Sequence, residues 1–404
     1  MRLLRGVLVY LWSTGVLAQT IVPAREIKSL GHDLGTDDIA PLWMRADSSE
    51  WVVGFARDNK SDRTQALGYW WDIFVEEDQG RNLTFSVGRD LAGSPFRLGR
   101  FGADQYQSYA AYLCWAPVPP YKRLAYIHNY REINILDVRD LGIPKPLMTL
   151  GFEVNNLCLD WSVKDRLAFV SELTGSGDIY VLDVPSTPKG KITGSEIDRY
   201  IHRLTKGMGY EGDPSWSPQG DKLAYVTQSR PGNQDIYIID DASSALAAGG
   251  IEKGRQITSL PGAETNPSWS PDGKLLAFYR VEKDEGERVE LWVVDIDGKE
   301  KPREIAGGVQ RASQGRPAWV QQKESQRGYQ LIYTVLDSLS NGMFLADVER
   351  REIRQVQVGV EVVSDPSTAS GEYPFIAFSG HNAVGRRRIY VCRLEIEVPK
   401  MGDW

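Results

Sequence analysis

Short apolar runs broken by turn residues recur along this chain, and no stretch keeps the three-to-four spacing of an amphipathic helix. The clearest unit reads Asn266-Pro267-Ser268-Trp269-Ser270-Pro271-Asp272-Gly273, then Leu275-Leu276-Ala277-Phe278 and, after a charged stretch, Leu291-Trp292-Val293-Val294-Asp295. The unit before it reads Asp213-Pro214-Ser215-Trp216-Ser217-Pro218-Gln219-Gly220, then Leu223-Ala224-Tyr225-Val226 and Asp235-Ile236-Tyr237-Ile238-Ile239-Asp240. Each run has the length and the β-branched and aromatic content of a strand. Ser-Pro-Asp-Gly reads as a β-turn, with Pro presetting φ at the second position and Gly closing the fourth.

Weaker copies flank these two. Trp43, Trp115, Trp161 and Trp319 each precede similar runs, and in a last copy Asp365-Pro366-Ser367 is followed by Thr368 in the Trp slot. From Trp115 onward the steps are 46, 55, 53, 50 and 49 residues. A period of this size, filled with short strands, predicts an all-β propeller of four-stranded antiparallel blades. Seven motifs predict seven blades; six is the alternative if a weak terminal copy belongs elsewhere. Arg25-Glu26-Ile27-Lys28-Ser29-Leu30 resembles the outer-strand segment Arg255-Gln256-Ile257-Thr258-Ser259-Leu260 but precedes the first copy. It is therefore expected to pair with the last blade and close the ring. The step from Trp43 to Trp115 is 72 residues, with the excess in 57–69 and 79–107. Smaller expansions fall at 185–199 and 242–254.

Composition adds bounds. The 404 residues hold 47 Lys plus Arg against 54 Asp plus Glu, a net charge of −7, which gives no footing for nucleic-acid binding. Arg2 and Arg5, the short apolar stretch Val7–Leu17 and the small residues around Ala18 predict a cleaved export signal over 1–18. A single propeller domain is expected over 19–396, with a tail at 397–404, in the periplasm or secreted, monomeric and not membrane-spanning. The apolar stretch is well short of the roughly 20 residues that cross a bilayer. Cys114, Cys158 and Cys392 form an odd set lying inside strands, expected as buried free thiols, with a Cys114–Cys158 bridge as the alternative.

The Pro-x-Trp-Ser-Pro-Asp-Gly repeats at 213–240 and 266–295 resemble those of the TolB propeller family. That resemblance implies an exported propeller that binds an envelope lipoprotein. Two departures from the family stand out: its members carry an α/β domain before a six-bladed propeller, and neither that domain nor that count is read here. The same repeat also occurs on propellers of serine peptidases and in oligogalacturonate lyases.

Chemistry is sparse. There is no Gly-x-Ser-x-Gly elbow, and His32, His128, His202 and His381 share no place in the repeat. The residues just before each inner Trp are expected to ring one mouth of the channel: Glu211, Asp213, Glu264, Asn266 and Asp365, joined by Asp37 and Asp38. Two readings stay open. One is an acidic mouth that takes a basic partner segment or a cation such as calcium. The other is turn capping by Asp or Asn before Pro. The leading expectation is a non-enzymatic propeller, without cofactor, that docks a protein or peptide. The alternative is a propeller enzyme acting on carbohydrate or lactone through an acidic or metal site in the channel.

Overall fold

A computed structural model describes residues 21–30, 38–45, 51–58, 71–77, 85–86, 113–119, 123–128, 130–137, 145–230, 233–251, 253–282, 288–310, 316–320, 329–336, 341–368 and 375–394. The export segment, most of the long loops of the first repeat and Asp37 lie outside them.

The first described strand is β1 (Ile21–Leu30), and the strands that follow fall in groups of four. The first unit is β2 (Asp38–Arg45), β3 (Trp51–Asp58), β4 (Trp71–Glu77) and β5 (Phe85–Ser86). The second is β6 (Leu113–Trp115), β7 (Arg123–His128), β8 (Glu132–Asp137) and β9 (Lys145–Gly151). In the third, β10 (Asn156–Trp161), β11 (Arg166–Ser171) and β12 (Asp178–Asp183) are joined, after β13 (Gly190–Thr193), by β14 (Ile201–Arg203). The fourth holds β15 (Glu211–Trp216), β16 (Leu223–Arg230), β17 (Asn233–Ile239) and β18 (Arg255–Gln256). The fifth holds β19 (Ala263–Trp269), β20 (Leu275–Glu282), β21 (Arg288–Asp295) and β22 (Arg303–Gly307). After β23 (Val309–Gln310), the sixth comprises β24 (Ala318–Val320), β25 (Gln330–Leu336), β26 (Asn341–Asp347) and β27 (Glu352–Gln357). The last copy gives β28 (Glu361–Thr368), β29 (Phe375–His381) and β30 (Arg387–Leu394).

The fourth strand of that last sheet is β1. It pairs antiparallel with β30 from Ala24↔Leu394 to Leu30↔Ile389, while Ile21–Pro23 lie parallel to Gln355–Gln357 of β27. One N-terminal strand therefore ties the outer edges of the last two sheets, which would otherwise be left with unpaired backbone groups.

The second strands face a neighbour on both sides, which is why they lack a polar face. Along β16, Leu223 and Tyr225 pack toward the third unit with Trp216, while Ala224 and Val226 pack toward the fifth with Trp269 and Phe278. All four are fully buried. The Trp of each crisp repeat sits in the seam between units. The indole N–H of Trp269 donates to the Ser215 carbonyl of the preceding unit at 2.9 Å and that of Trp319 to the Ser268 carbonyl at 3.1 Å, whereas the buried Trp216 indole N–H makes no hydrogen bond. Thr368, in the Trp slot of the last copy, keeps the link by donating its hydroxyl to the Trp319 carbonyl at 2.7 Å.

The expected turns form: the Gly273 and Gly220 N–H groups each donate to the Ser three residues back at 2.8 Å, with φ of 72° and 66°. Such angles favour Gly. Two of the repeat expansions hold the only helical turns among the described residues, a 3₁₀ turn at Gly194–Arg199 and a short helix at Ala242–Ala247 whose first turn is capped by the Asp241 carboxylate. Cys114, Cys158 and Cys392 are free.

Candidate axial site

The inner strands share an irregularity three residues before the Trp. Register slips between Leu157 and Asp160 in β10, between Gly212 and Ser215 in β15, between Thr265 and Ser268 in β19 and between Ser364 and Ser367 in β28. At the centre of each bulge one residue takes a left-handed backbone: Cys158 (φ 53°), Asp213 (48°), Asn266 (56°) and Asp365 (56°). Asp and Asn tolerate this region better than other L-residues, and a following Pro forbids them the helical one. A bulge re-aims the side chain it carries.

Arg316 occupies the same register in the sixth repeat, three residues before Trp319. Its guanidinium reaches Asp160 of the third unit at 2.6 Å and the Pro214 carbonyl of the fourth. A side chain from one unit meeting inner strands two and three units away marks the middle of the assembly. Asp213 joins in, accepting from the Asn266 N–H at 3.0 Å and from the Cys158 thiol at 3.4 Å. The second carboxylate oxygen of Asp160 accepts from the Trp216 N–H. The axis is thus lined by an interlocked set of charges spanning four units.

Electrostatics follow from this packing. Burial works against the charge on Arg316, yet Asp160 and then Asp213 outweigh it and raise its pKa. Burial, reinforced by Asp160, pushes the Cys114 thiol well above its usual range. Burial and Asp213 do the same for Cys158, so both thiols are protonated and poorly nucleophilic.

Of the five residues singled out from sequence, three stand at the bulges and two do not. Glu211 and Glu264, five residues before their Trp, are buried in the seams between units, a correction to their expected place at the channel mouth. The Glu264 carboxylate accepts from the Thr258 hydroxyl, from the Leu260 N–H at 2.9 Å and from the Ile236 N–H at 3.3 Å. The Thr258 hydroxyl accepts in turn from Ile236 N–H at 2.9 Å. The third–fourth seam repeats the device, with the Thr205 hydroxyl accepting from Ile179 N–H at 2.9 Å and bonded to Glu211. Burial raises both carboxyls to about 7, opposed by the Thr hydrogen bonds and aided by Asp178 and Asp235 respectively. In a regular strand, residues two apart share a face, which is why Glu264 and Asn266 look equivalent in sequence. The bulge between them sends one to the seam and the other to the axis.

Asp365 is buried and accepts from Ser364 at 3.0 Å. Asp38 opens β2. Cys158, Asp160 and Arg316 were missed by the search for acids before the Trp. Aligning every copy on its Trp would have found Cys158 and Arg316, since the register is constant while the residue type is not. Among the described residues no three His, Cys, Asp or Glu side chains converge as metal ligands.

Comparison with known proteins agrees with this architecture. Residues 198–396 match the family described as the TolB beta propeller domain. The uncharacterized peptidase YuxL of Bacillus subtilis is 30% identical over 144 residues, 35% of this chain and 19% of that protein. The Tol-Pal system protein TolB of Alcanivorax borkumensis is 37% identical over 65 residues, 16% of this chain and 13% of that one. The matches thus span a minor part of those proteins' lengths. A puromycin-hydrolyzing peptidase of Mycobacterium tuberculosis shares the fold, with a TM-score of 0.58 at 13% identity, over 94% of this chain and 57% of its own. Residues 198–396, just under half of the chain, thus carry the repeat described as the TolB beta propeller domain.

Proposed function

We propose that the chain is an exported, seven-bladed propeller, closed by β1, that docks an extended segment of a partner protein at the mouth of its axis in the cell envelope. The observation that carries this reading is the axial register itself. Asp213, Asn266, Arg316 and Asp365 occupy one repeat position, and the Arg316 guanidinium reaches from the sixth unit to the third, so that acids, an amide and a guanidinium would ring the axis. Such a mixed polar ring suits a peptide with charged side chains and unsatisfied backbone groups. The family match supports it, because a Tol-Pal system protein shares the repeat. The test is affinity capture from an envelope fraction with wild type, Asp213→Ala and Asp365→Ala, each checked for an unchanged melting profile. A partner held by wild type and lost by both variants is the expected result. A partner held equally by all three defeats the reading. Export is checked by N-terminal sequencing of the secreted chain, expected to begin at Gln19.

The sequence similarity to the peptidase YuxL over 144 residues supports a second reading in which the propeller serves an enzyme. In that form Asp160, Asp213 and Asp365 would act on a carbohydrate or lactone inside the channel. Lactone-hydrolysis and uronide-elimination assays on the purified chain, with and without divalent cation, separate the two.

A further inference from the structure

The position five residues before the inner-strand Trp is Glu211 in the fourth unit and Glu264 in the fifth, but in the seventh, where Thr368 replaces Trp, it is Val363. Its partners change with it. The run Ile236 to Asp240, which begins in β17, corresponds to Met343 to Asp347 of β26, so Asp235 is replaced by Gly342. By strand pairing, Tyr237↔Gln256 corresponds to Phe344↔Gln355, so Thr258 is replaced by Gln357, whose side chain is exposed. Two acids and a hydroxyl close the fourth–fifth seam. In the sixth–seventh seam a glycine, an outward glutamine and a valine leave a cavity of about 400 Å³.

Its walls combine valine and methionine side chains with the amides of Gln355 and Gln357. Met343, Val356, Val358 and Val363 belong to one buried cluster, and Val360 packs against them. Val360 also lies so close to Gly380 that a Cβ there would stand 2.5 Å from it. At the rim Val362 is exposed with φ of 46°, the only β-branched residue in the left-handed region among the described residues. A backbone conformation this unfavourable for valine is held by its surroundings. Beside it Glu361 is exposed, lines the cavity and forms no salt bridge among the described residues. The cations of the next hairpin, Arg386, Arg387 and Arg388, hold partners of their own, and none lines the cavity.

We propose that this cavity binds a small apolar ligand carrying one positive charge. The apolar body fills the valine-walled space, and the ammonium or related cation meets Glu361 at the mouth. The volume is that of a small-molecule site, and apolar side chains with a few polar groups, of which Glu361 alone is charged, are what fix a ligand's orientation. This inference is independent of the axial docking reading.

Octylamine, octanol and octanoate serve as probes, titrated by calorimetry into the full chain at low salt. Wild type is expected to bind octylamine saturably and about three- to fivefold more tightly than octanol, the range of one exposed ion pair, with octanoate weakest. Glu361→Gln should remove the preference of amine over alcohol while leaving octanol unchanged. Val362→Trp, an exposed position that covers the mouth, should weaken all binding by about tenfold or more; Val358→Phe should do so from within. Asp213→Ala should leave all three affinities as they are, which separates this site from the axis. Absence of saturable octylamine binding to wild type, equal affinity for octylamine and octanol, or unaltered binding by folded Val362→Trp and Val358→Phe would each overturn the proposal.

Discussion

The seam between the fourth and fifth units and the seam between the sixth and seventh solve one packing problem in two ways. In the first, Trp269 fills the gap and its indole N–H is paired, while Glu264 and Thr258 satisfy backbone donors of β17 and of the link into β19. In the second, Thr368 replaces the Trp, Val363 replaces the Glu, and β1 laces the two outer edges together. The repeat does not require one residue set; it requires that the seam be filled and its backbone groups be paired. Where local side chains do this less fully, a strand from the other end of the chain contributes and a cavity remains.

Four measurements sharpen the contrast. Trp269→Ala should cost most, about 3–5 kcal/mol by urea unfolding, from lost burial and an empty seam. Thr368→Ala should cost far less, and near-equal losses would mean that the two seams are held alike.

The pH dependence is next. Glu264 and Glu211 titrate near 7 in the folded chain against an ordinary value of 4.5. Because the folded pKa is the higher one, the folded state holds the proton more tightly. The stabilisation is complete below about pH 4.5 and is lost as pH rises through about 7. Each group shifts stability by about 3 kcal/mol over that window. Unfolding at pH 5 and pH 8 should show this loss in wild type and a flatter response in Glu211→Gln with Glu264→Gln. The sixth–seventh seam has Val363 instead and contributes nothing to it.

Glu264→Ala at pH 5, where the carboxyl is protonated, should then cost about 2 kcal/mol by leaving buried N–H and hydroxyl donors without an acceptor. Thr368→Ala, the smallest, should cost about 1 kcal/mol for one hydrogen bond, read as a small shift in the unfolding midpoint.

Much of the fold was readable because each repeat position performs a short-range task. Ser270-Pro271-Asp272-Gly273 makes its turn within four residues, and the run Leu223–Val226 announces by its lack of polar residues that both faces are covered. The outer-strand character of Arg25–Leu30 was readable for the same reason. The two short helical segments were not, because neither six-residue stretch is long enough to show a helical period.

The candidate site was legible only in part. Asp213, Asn266 and Asp365 stood out as Asp or Asn before Pro. Arg316 precedes a Pro too, but its chemistry differs, and what it touches lies 156 residues away at Asp160. Glu211 and Glu264 carried the right chemistry in the wrong place.

The amino-acid order by itself determined the repeat length, the strands, the turns and the tryptophans that divide one unit from the next, since all of these depend on residues close together in the chain. Only the tertiary structure decided which acids face the axis and which are buried between units. A one-residue bulge reverses that choice, and the partners that give each carboxyl its properties come from other repeats.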